Sequence, residues 1–368
     1  MSDLKFISNI DTICILLDIE NYEEIAQDTL ELLEIEKEKT KKQLISNSLY
    51  KNYIKVGNMN FEILSVGTKG YSYILQNSAY KIYVSKYLPK LRAFAPIQIR
   101  ISSEYLWSAG INETWSIIYN WVVENFGNVI REKVCRLDLC THVSNIEFTT
   151  NFENTYKGQY KKCQIFRTND KINAITFGSR QNKNIYCRIY NKTLEIQEKK
   201  HKNWFYDIWK NNNMSTDNVW NIEFEIKSEF LNKFNIITVN DVLLHIKDLW
   251  EFCTTKWLIK IDNTNTRKER CKTNSDWEKI QNAFFYLPNT GLIARNKQLN
   301  MDADILIPTI AGFIISYATK KQLKTLEETI NKIGNEMIKY LDNKSTSFRY
   351  EINKKSLSLN SLGGVINE

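Results

Sequence analysis

Residues 134–143 read VCRLDLCTHV, and the fold turns on them. Successive side chains of a β-strand point to opposite faces. Leu137, Leu139, Thr141 and Val143 therefore share one face, while Arg136, Asp138, Cys140 and His142 share the other. Two further stretches behave alike. In 184–192, NIYCRIYNK, the residues Ile185, Cys187 and Ile189 oppose Tyr186, Arg188, Tyr190 and Lys192. In 219–227, VWNIEFEIK, the residues Trp220, Ile222, Phe224 and Ile226 oppose Asn221, Glu223, Glu225 and Lys227. One such strand is the ordinary pattern of an antiparallel sheet with a solvated face. Three of them, if neighbours, build a polar cleft where Asp138, His142 and Glu223 meet Arg188, Tyr190 and Lys192. Carboxylates and a His facing Tyr and Lys suit metal-assisted phosphoryl transfer.

Working outward, residues 9–18 (IDTICILLDI) read as a strand and 22–46 as a helix. Short strands follow over 50–88, punctuated by Gly57, Gly67 and Gly70, and another over 96–102. A helix spans 103–127, with Ser103 and Asn112 as candidate caps. Beyond the third key strand, 228–262 has helical apolar spacing. The loop after it carries Arg267, Lys268, Arg270 and Lys272, either as a solvated loop or as a phosphate contact. In the C-terminal region Leu323, Leu326, Ile330, Ile333, Met337 and Leu341 recur at steps of three and four, which points to core packing or to a dimer helix. The tail from Asn343 is polar and expected to be mobile. No internal repeat is evident.

Composition narrows the class. The chain has 368 residues, 43% hydrophobic and 25% charged, which excludes wholesale disorder. No apolar run is long enough to span a bilayer, and the N-terminus is acidic where a signal peptide is basic, so a cytoplasmic protein is expected. Seven scattered cysteines without a C-x-x-C read as reduced thiols, and three histidines exclude a His-rich metal site. Of these, His201 and His245 read as surface and helix-packing residues. Net charge is +8, but residues 1–46 hold −6, leaving +14 for the rest. With 19 Tyr, 17 Phe and 9 Trp, that balance suits a polyanion binder able to stack on bases, although an AT-rich coding sequence would give a similar excess of Lys and Asn.

Residues 175–195, ITFGSRQNKNIYCRIYNKTLE, resemble the signature of the replication initiation factors of rolling-circle plasmids and of related nicking relaxases of integrative elements and phages. The matching positions are Gly178, Ser179, Arg180, Arg188, Ile189, Tyr190, Lys192 and Glu195. VCRLDLCTHV and VWNIEFEIKSEFL resemble that family's flanking acidic strands, and the likeness spans roughly residues 9–280. The resemblance implies that Tyr190 attacks a phosphodiester and becomes linked to the 5′ phosphate. A phenol with a pKa near 10 needs a nearby cation or base. Lys192 is the candidate cation, and Glu195 either a base or the anchor of Lys192. A divalent ion, Mg²⁺ or Mn²⁺, would be held by Asp138, His142 and Glu223. Arg188 and Arg180 would clamp phosphate oxygens, with Ser179, Arg136, Arg267, Lys268 and Arg270 as further DNA contacts. Two positions depart from the family pattern. His142 stands at an acidic position, and suits Mn²⁺ better than Mg²⁺; Asn221 stands where the family has Arg.

The expected fold is α+β: a largely antiparallel sheet with helices on one face, an open DNA-binding face, and a helical C-terminal part. Expected divisions are 1–130, a catalytic sheet 131–262, and a helical region 263–368. Expected partners are DNA as an origin hairpin or single strand, a second copy of the chain in a homodimer, and a host helicase, with no membrane. The expected function is origin-specific nicking that starts rolling-circle replication. A conjugative relaxase with the same chemistry and a non-catalytic DNA-binding repressor on the same fold are the alternatives.

Overall fold

Eleven strands pair antiparallel into one sheet in the computed structural model. It describes residues 4–284 except 47, 89–94, 147, 149–154, 169–170, 182–183 and 200–201, and residues 307–352 except 345, 350 and 351. The strands are β1 (Lys5–Ile19), β2 (Asn52–Val56), β3 (Met59–Ile63), β4 (Tyr73–Gln76), β5 (Tyr80–Val84), β6 (Ile97–Ile101), β7 (Val129–Ser144), β9 (Cys163–Thr168), β10 (Lys171–Phe177), β11 (Ile185–Asn191) and β12 (Trp220–Lys227). A separate ribbon joins β8 (Tyr156–Gly158) to β13 (Leu258–Lys260). Helices are α1 (Tyr22–Ile25), α2 (Gln27–Ser46), α3 (Ser103–Phe126), α4 (Lys192–Lys199), α5 (Trp204–Asn211), α6 (Ser228–Lys233), α7 (Val239–Phe252) and α8 (Ser275–Gln281). The fold is α+β, as the alternating strands and intervening helical spacing require.

The sheet order is β2-β3-β4-β5-β6-β1-β7-β12-β11-β10-β9. From the central pair β1–β7 outward, each half runs alike: its first strand, then its last, then the others in descending order. This duplicated plan has no counterpart in residue identity, which is why no repeat is visible in the sequence. The same pairing joins residues 1–130 to 131–262 in one continuous sheet. The chain divides instead into two compact units, Met1–Phe285 and Tyr286–Glu368.

Helices cover the apolar face. In the first half Trp121 of α3 packs on Phe61 and donates from Nε1 to the Val56 carbonyl (2.9 Å). In the second, Phe224 of β12 meets Trp250 of α7 and Trp257 edge-on, at 5.5 and 6.0 Å between ring centroids. An aromatic cluster caps one end of the polar face. Gly110 breaks α3 with φ 79°, a left-handed value that suits glycine, so its first turns swing around the sheet end. There Trp107 joins Phe205 and Trp209 of α5 and Ile196 of α4 in a second aromatic cluster.

Local expectations and structure differ in several places: Ser102 and not Ser103 caps α3, and Leu258–Lys260 form β13 at the end of the stretch expected to be helical. β1 starts at Lys5, ahead of the apolar run, because pairing with β7 continues to Ser144. The β9–β10 hairpin was not anticipated, since CQIFRT alternates weakly and sits on an exposed edge. In the second unit, α9 (Ile307–Lys321) and α10 (Leu326–Asn343) are helical as expected. On α10, however, Leu326, Ile330 and Met337 are exposed, so their stripe forms no core among the described residues. The tail expected to be mobile lies largely outside those residues.

Phe224 is fully buried directly behind the acidic side of β12. Phe224→Ala should cost about 3–5 kcal/mol of stability, read as a lowered urea midpoint.

Candidate active site

Register assembles the site. β11, β12 and β7 are adjacent, and their pairing places Tyr190 opposite Asn221 and Asn221 opposite His142. One row along, Arg188 faces Glu223 and Glu223 faces Cys140. Tyr190 Oη is the hub. It accepts from Asn221 Nδ2 (2.9 Å) and from Lys192 Nζ (3.2 Å), and it donates to Glu223 Oε2 (3.3 Å). Glu223 is buried; its other oxygen accepts from Arg188 Nη2 (2.5 Å). Asn221 therefore does more than leave a cation missing, for its amide donates to both the phenol and Glu223 (3.2 Å).

Lys192 is not the last residue of the strand but the first of α4, and it is 0% exposed. Its ammonium lies 4.7 Å from the Phe205 ring centroid and pairs with Glu195 Oε2 at 2.7 Å. A buried cation needs such a partner. Glu195 also receives Lys199 (2.9 Å). Although burial opposes it, the Lys192 charge holds the Glu195 carboxyl down at about 2. Glu195 is thus an anchor for Lys192 and a poor base.

The phenol does not behave as expected of an activated nucleophile. Burial pushes Tyr190 well above its ordinary value; Glu223, Glu195 and Asp11 add to the push and Arg188 opposes it. The Lys192 ammonium donates to the phenolic oxygen, but its charge is shared with Glu195, and burial with the nearby carboxylates outweighs it. Asp11 was missed by sequence reading. It sits on a β-bulge of β1, between Ile10 and Thr12, buried, and accepts from Ser103 Oγ (2.6 Å). A lone carboxylate inside an apolar strand was the available signal.

The three expected metal ligands are not brought together. Asp138 is gripped by Arg136 through two bonds of 2.8 and 2.6 Å, while burial pushes its carboxyl up. His142 is boxed by aromatics: Trp107 stacks on it at 4.9 Å, Phe205 meets it edge-on at 4.7 Å, and Trp209 Nε1 donates to its Nδ1 (3.0 Å). That bond leaves the proton on Nε2, which is buried and unpartnered. Glu223 is shared by Arg188, Asn221 and Tyr190. Among the described residues no group of three His, Cys, Asp or Glu side chains is placed to hold a metal ion. The donor set does not fit a divalent ion, since Arg136 and Arg188 already neutralise the carboxylates and the His ring faces indoles.

The remaining expected residues scatter. Arg180 pairs with Glu225 (3.6 Å) and lies over the Tyr186 ring (5.4 Å); Ser179 Oγ accepts from the Gln181 amide (3.3 Å). Arg136 bridges Asp138 to Glu225 (3.0 Å). Arg267, Lys268 and Arg270 lie on a loop tied to the β8–β13 ribbon, where Lys268 Nζ donates to the Tyr156 carbonyl (3.3 Å). Tyr156 packs on Phe177 of the apolar face, so this ribbon lies away from the Tyr190 hydroxyl. His245 pairs with Asp248 on α7 (3.3 Å), and His201 lies outside the described residues.

No protein-family model and no curated protein sequence matches the chain. A solved structure described as a rolling circle replication initiator protein from Geobacillus stearothermophilus covers 75% of this chain and 96% of its own, at 12% identity and a TM-score of 0.42. So slight a likeness carries none of the chemistry, which rests on the side chains above. Among the described residues no helix is long and apolar enough to cross a membrane.

Burial, reinforced by the Lys192 charge, holds the His142 imidazole well below its ordinary value. The unfolded chain takes up a proton near pH 6.5 that the folded chain refuses. The stabilisation is therefore whole above that pH and is lost as pH falls, by at most about 1.4 kcal/mol per unit. Asp138, whose carboxyl burial pushes up to about 7, contributes in the opposite direction over this range, so the His142 contribution is read by difference. The urea midpoint of the native chain should exceed that of His142→Phe at pH 7.5, because Trp209 loses its acceptor in the variant, and the gap should narrow as pH falls to 5.

Proposed function

We propose that the protein is a DNA nicking enzyme that acts through Tyr190, cutting one strand at a specific origin and so starting rolling-circle replication of a plasmid or mobile element. One observation carries this reading: a single phenolic oxygen meets two donors and one buried carboxylate on the polar face of the sheet. The arrangement supports general-base activation. Tyr190 begins protonated; as its oxygen attacks phosphorus, the proton passes to Glu223 Oε2. The P–O3′ bond breaks, leaving the phosphate on Tyr190 and a 3′ hydroxyl that takes its proton from solvent.

Charge moves usefully in that step. Once protonated, Glu223 no longer neutralises Arg188, whose guanidinium becomes available to the phosphoryl oxygens at the moment their charge grows. Lys192 donates to the phenolic oxygen throughout, and Glu195 holds it there. The retention of the resting proton favours a second reading, a DNA-binding repressor without catalysis.

A fluorescent single-stranded origin oligonucleotide, incubated with Mn²⁺ and again with chelator, separates the two. Cleavage with a covalent protein–DNA adduct is expected, and Tyr190→Phe should abolish it. Glu223→Gln should slow cleavage by about 10²–10⁴-fold while binding persists. Tight binding with no adduct under either condition would leave the repressor.

A further inference from the structure

A second concentration of charge lies on the polar face, in the half of the sheet that lacks Tyr190. Lys81 of β5 is the cross-strand partner of Arg100 on β6, and Arg100 of Cys14 on β1. Cys14 is in turn opposite Arg136 on β7, and Arg136 opposite Lys227 on β12. Cross-strand partners share a face. Four cations thus occupy one row across five strands, interrupted only by Cys14. At ~4.8 Å between strands the row is about 19 Å long.

Like charges directly opposite one another destabilise a sheet. On one side the repulsion is compensated. Arg136 pairs with Asp138 (2.6 Å) and Glu225 (3.0 Å), and Lys227 with Glu225 (3.5 Å). On the other side it is not: among the described residues neither Lys81 nor Arg100 has an ion-pair partner. The next carboxylate along the row, Glu62, lies two strands beyond Lys81 and is engaged by Lys51 (3.6 Å) and Gln76 (3.1 Å). Arg100 is exposed. An uncompensated cation pair on an open face lacks a counterion, and the described residues supply none.

An aromatic ring completes the patch. Tyr83 is the next residue of β5 on this face and is half-buried, with Lys81 Nζ 5.9 Å from its ring centroid. Tyr71 supports it from the side at 5.8 Å. Arg100 stands opposite Lys81 and one same-face step from Gln98, the cross-strand partner of Tyr83, so both cations lie on the Tyr83 side of the patch. Cations flanking a ring suit a strand whose bases are free to stack. A duplex, its bases already stacked, would use the charges but not the ring.

We infer that the β5–β6 end of the polar face is a docking track for single-stranded DNA, with Lys81 and Arg100 holding phosphates and Tyr83 stacking on a base. The choice of DNA as the polymer rests on the nicking reading of Tyr190; the need for a polyanion does not. Tyr190 lies three same-face steps along β11 from the level of the row, about 20 Å, and four to five strands across from Arg100 and Lys81, so roughly 30 Å from the track. The track would therefore hold nucleotides that flank the cut and not the scissile phosphate.

The test uses the full chain and a fluorescein-labelled, mixed-sequence single-stranded 20-mer, with affinity read by anisotropy across a salt series. Single strands lose roughly 0.7 of log–log salt slope per phosphate contact. Lys81→Gln with Arg100→Gln should make the slope shallower by about 1.4 and weaken binding about tenfold at 0.1 M salt. Tyr83→Leu should weaken binding by about tenfold with the slope unchanged. Lys41→Gln with Lys42→Gln, on α2 over the opposite face, should alter neither. Lys81→Glu should raise the melting temperature, by setting opposite charges across β5 and β6, and still weaken binding, so that loss of fold cannot explain the result.

Wild-type affinity and slope in the Lys81→Gln, Arg100→Gln chain would overturn the inference. So would equal displacement of the labelled strand by unlabelled duplex and unlabelled single strand. Assaying cleavage in parallel keeps the two readings apart. A chain that binds as described yet never cleaves retains the track and loses the nicking assignment. A chain that cleaves but ignores the two substitutions does the reverse.

Discussion

Tyr190, Asn221 and His142 face one another only because β11, β12 and β7 hold a single register, and the rest of the site depends on that. Side chains alternate with a period of two, so slipping β12 by one residue would send Glu223 into the core and Phe224 into the polar cluster. The apolar side forbids the slip. Phe224 is locked edge-on between Trp250 and Trp257, and Ile189, Ile222 and Leu139 are fully buried beside it. The packing that stabilises the sheet is also what aims the phenol.

Within that frame the chemistry is decided by who pairs with whom. Lys192 lies within hydrogen-bond reach of the phenol, yet burial and the surrounding carboxylates keep the phenol raised. Glu223 is the counterion of Arg188 at rest, and in the proposed reaction it would also accept the phenolic proton. His142 marks the boundary between chemistry and packing. Enclosed by Trp107, Phe205 and Trp209, it fixes the aromatic cap over one end of the polar face, and its neutrality is a condition of that burial.

The two halves of the sheet repeat one strand plan but spend their polar faces differently. Around β11 and β12 nearly every charge is matched within a few ångströms, giving a preorganised cluster. Around β5 and β6 the charges are left unmatched. Charge balance in one half and imbalance in the other is the difference expected between a reacting centre and a surface that holds a polyanion.

Much of this protein is local in origin. Alternation in VCRLDLCTHV, NIYCRIYNK and VWNIEFEIK is enough to define three strands and to sort Arg188, Tyr190, Asn221 and Glu223 onto one face, because side-chain direction in a strand follows from backbone geometry alone. Helical spacing likewise places α2, α3, α7 and α10. What residue order could not reveal is pairing at a distance. That Arg188 takes Glu223, that indoles enclose His142, and that the charge of Asp11 reaches the Tyr190 phenol all depend on residues brought together from far along the chain. The same holds for the cation row from Lys81 to Lys227, whose members come from five strands and meet only once the sheet has formed.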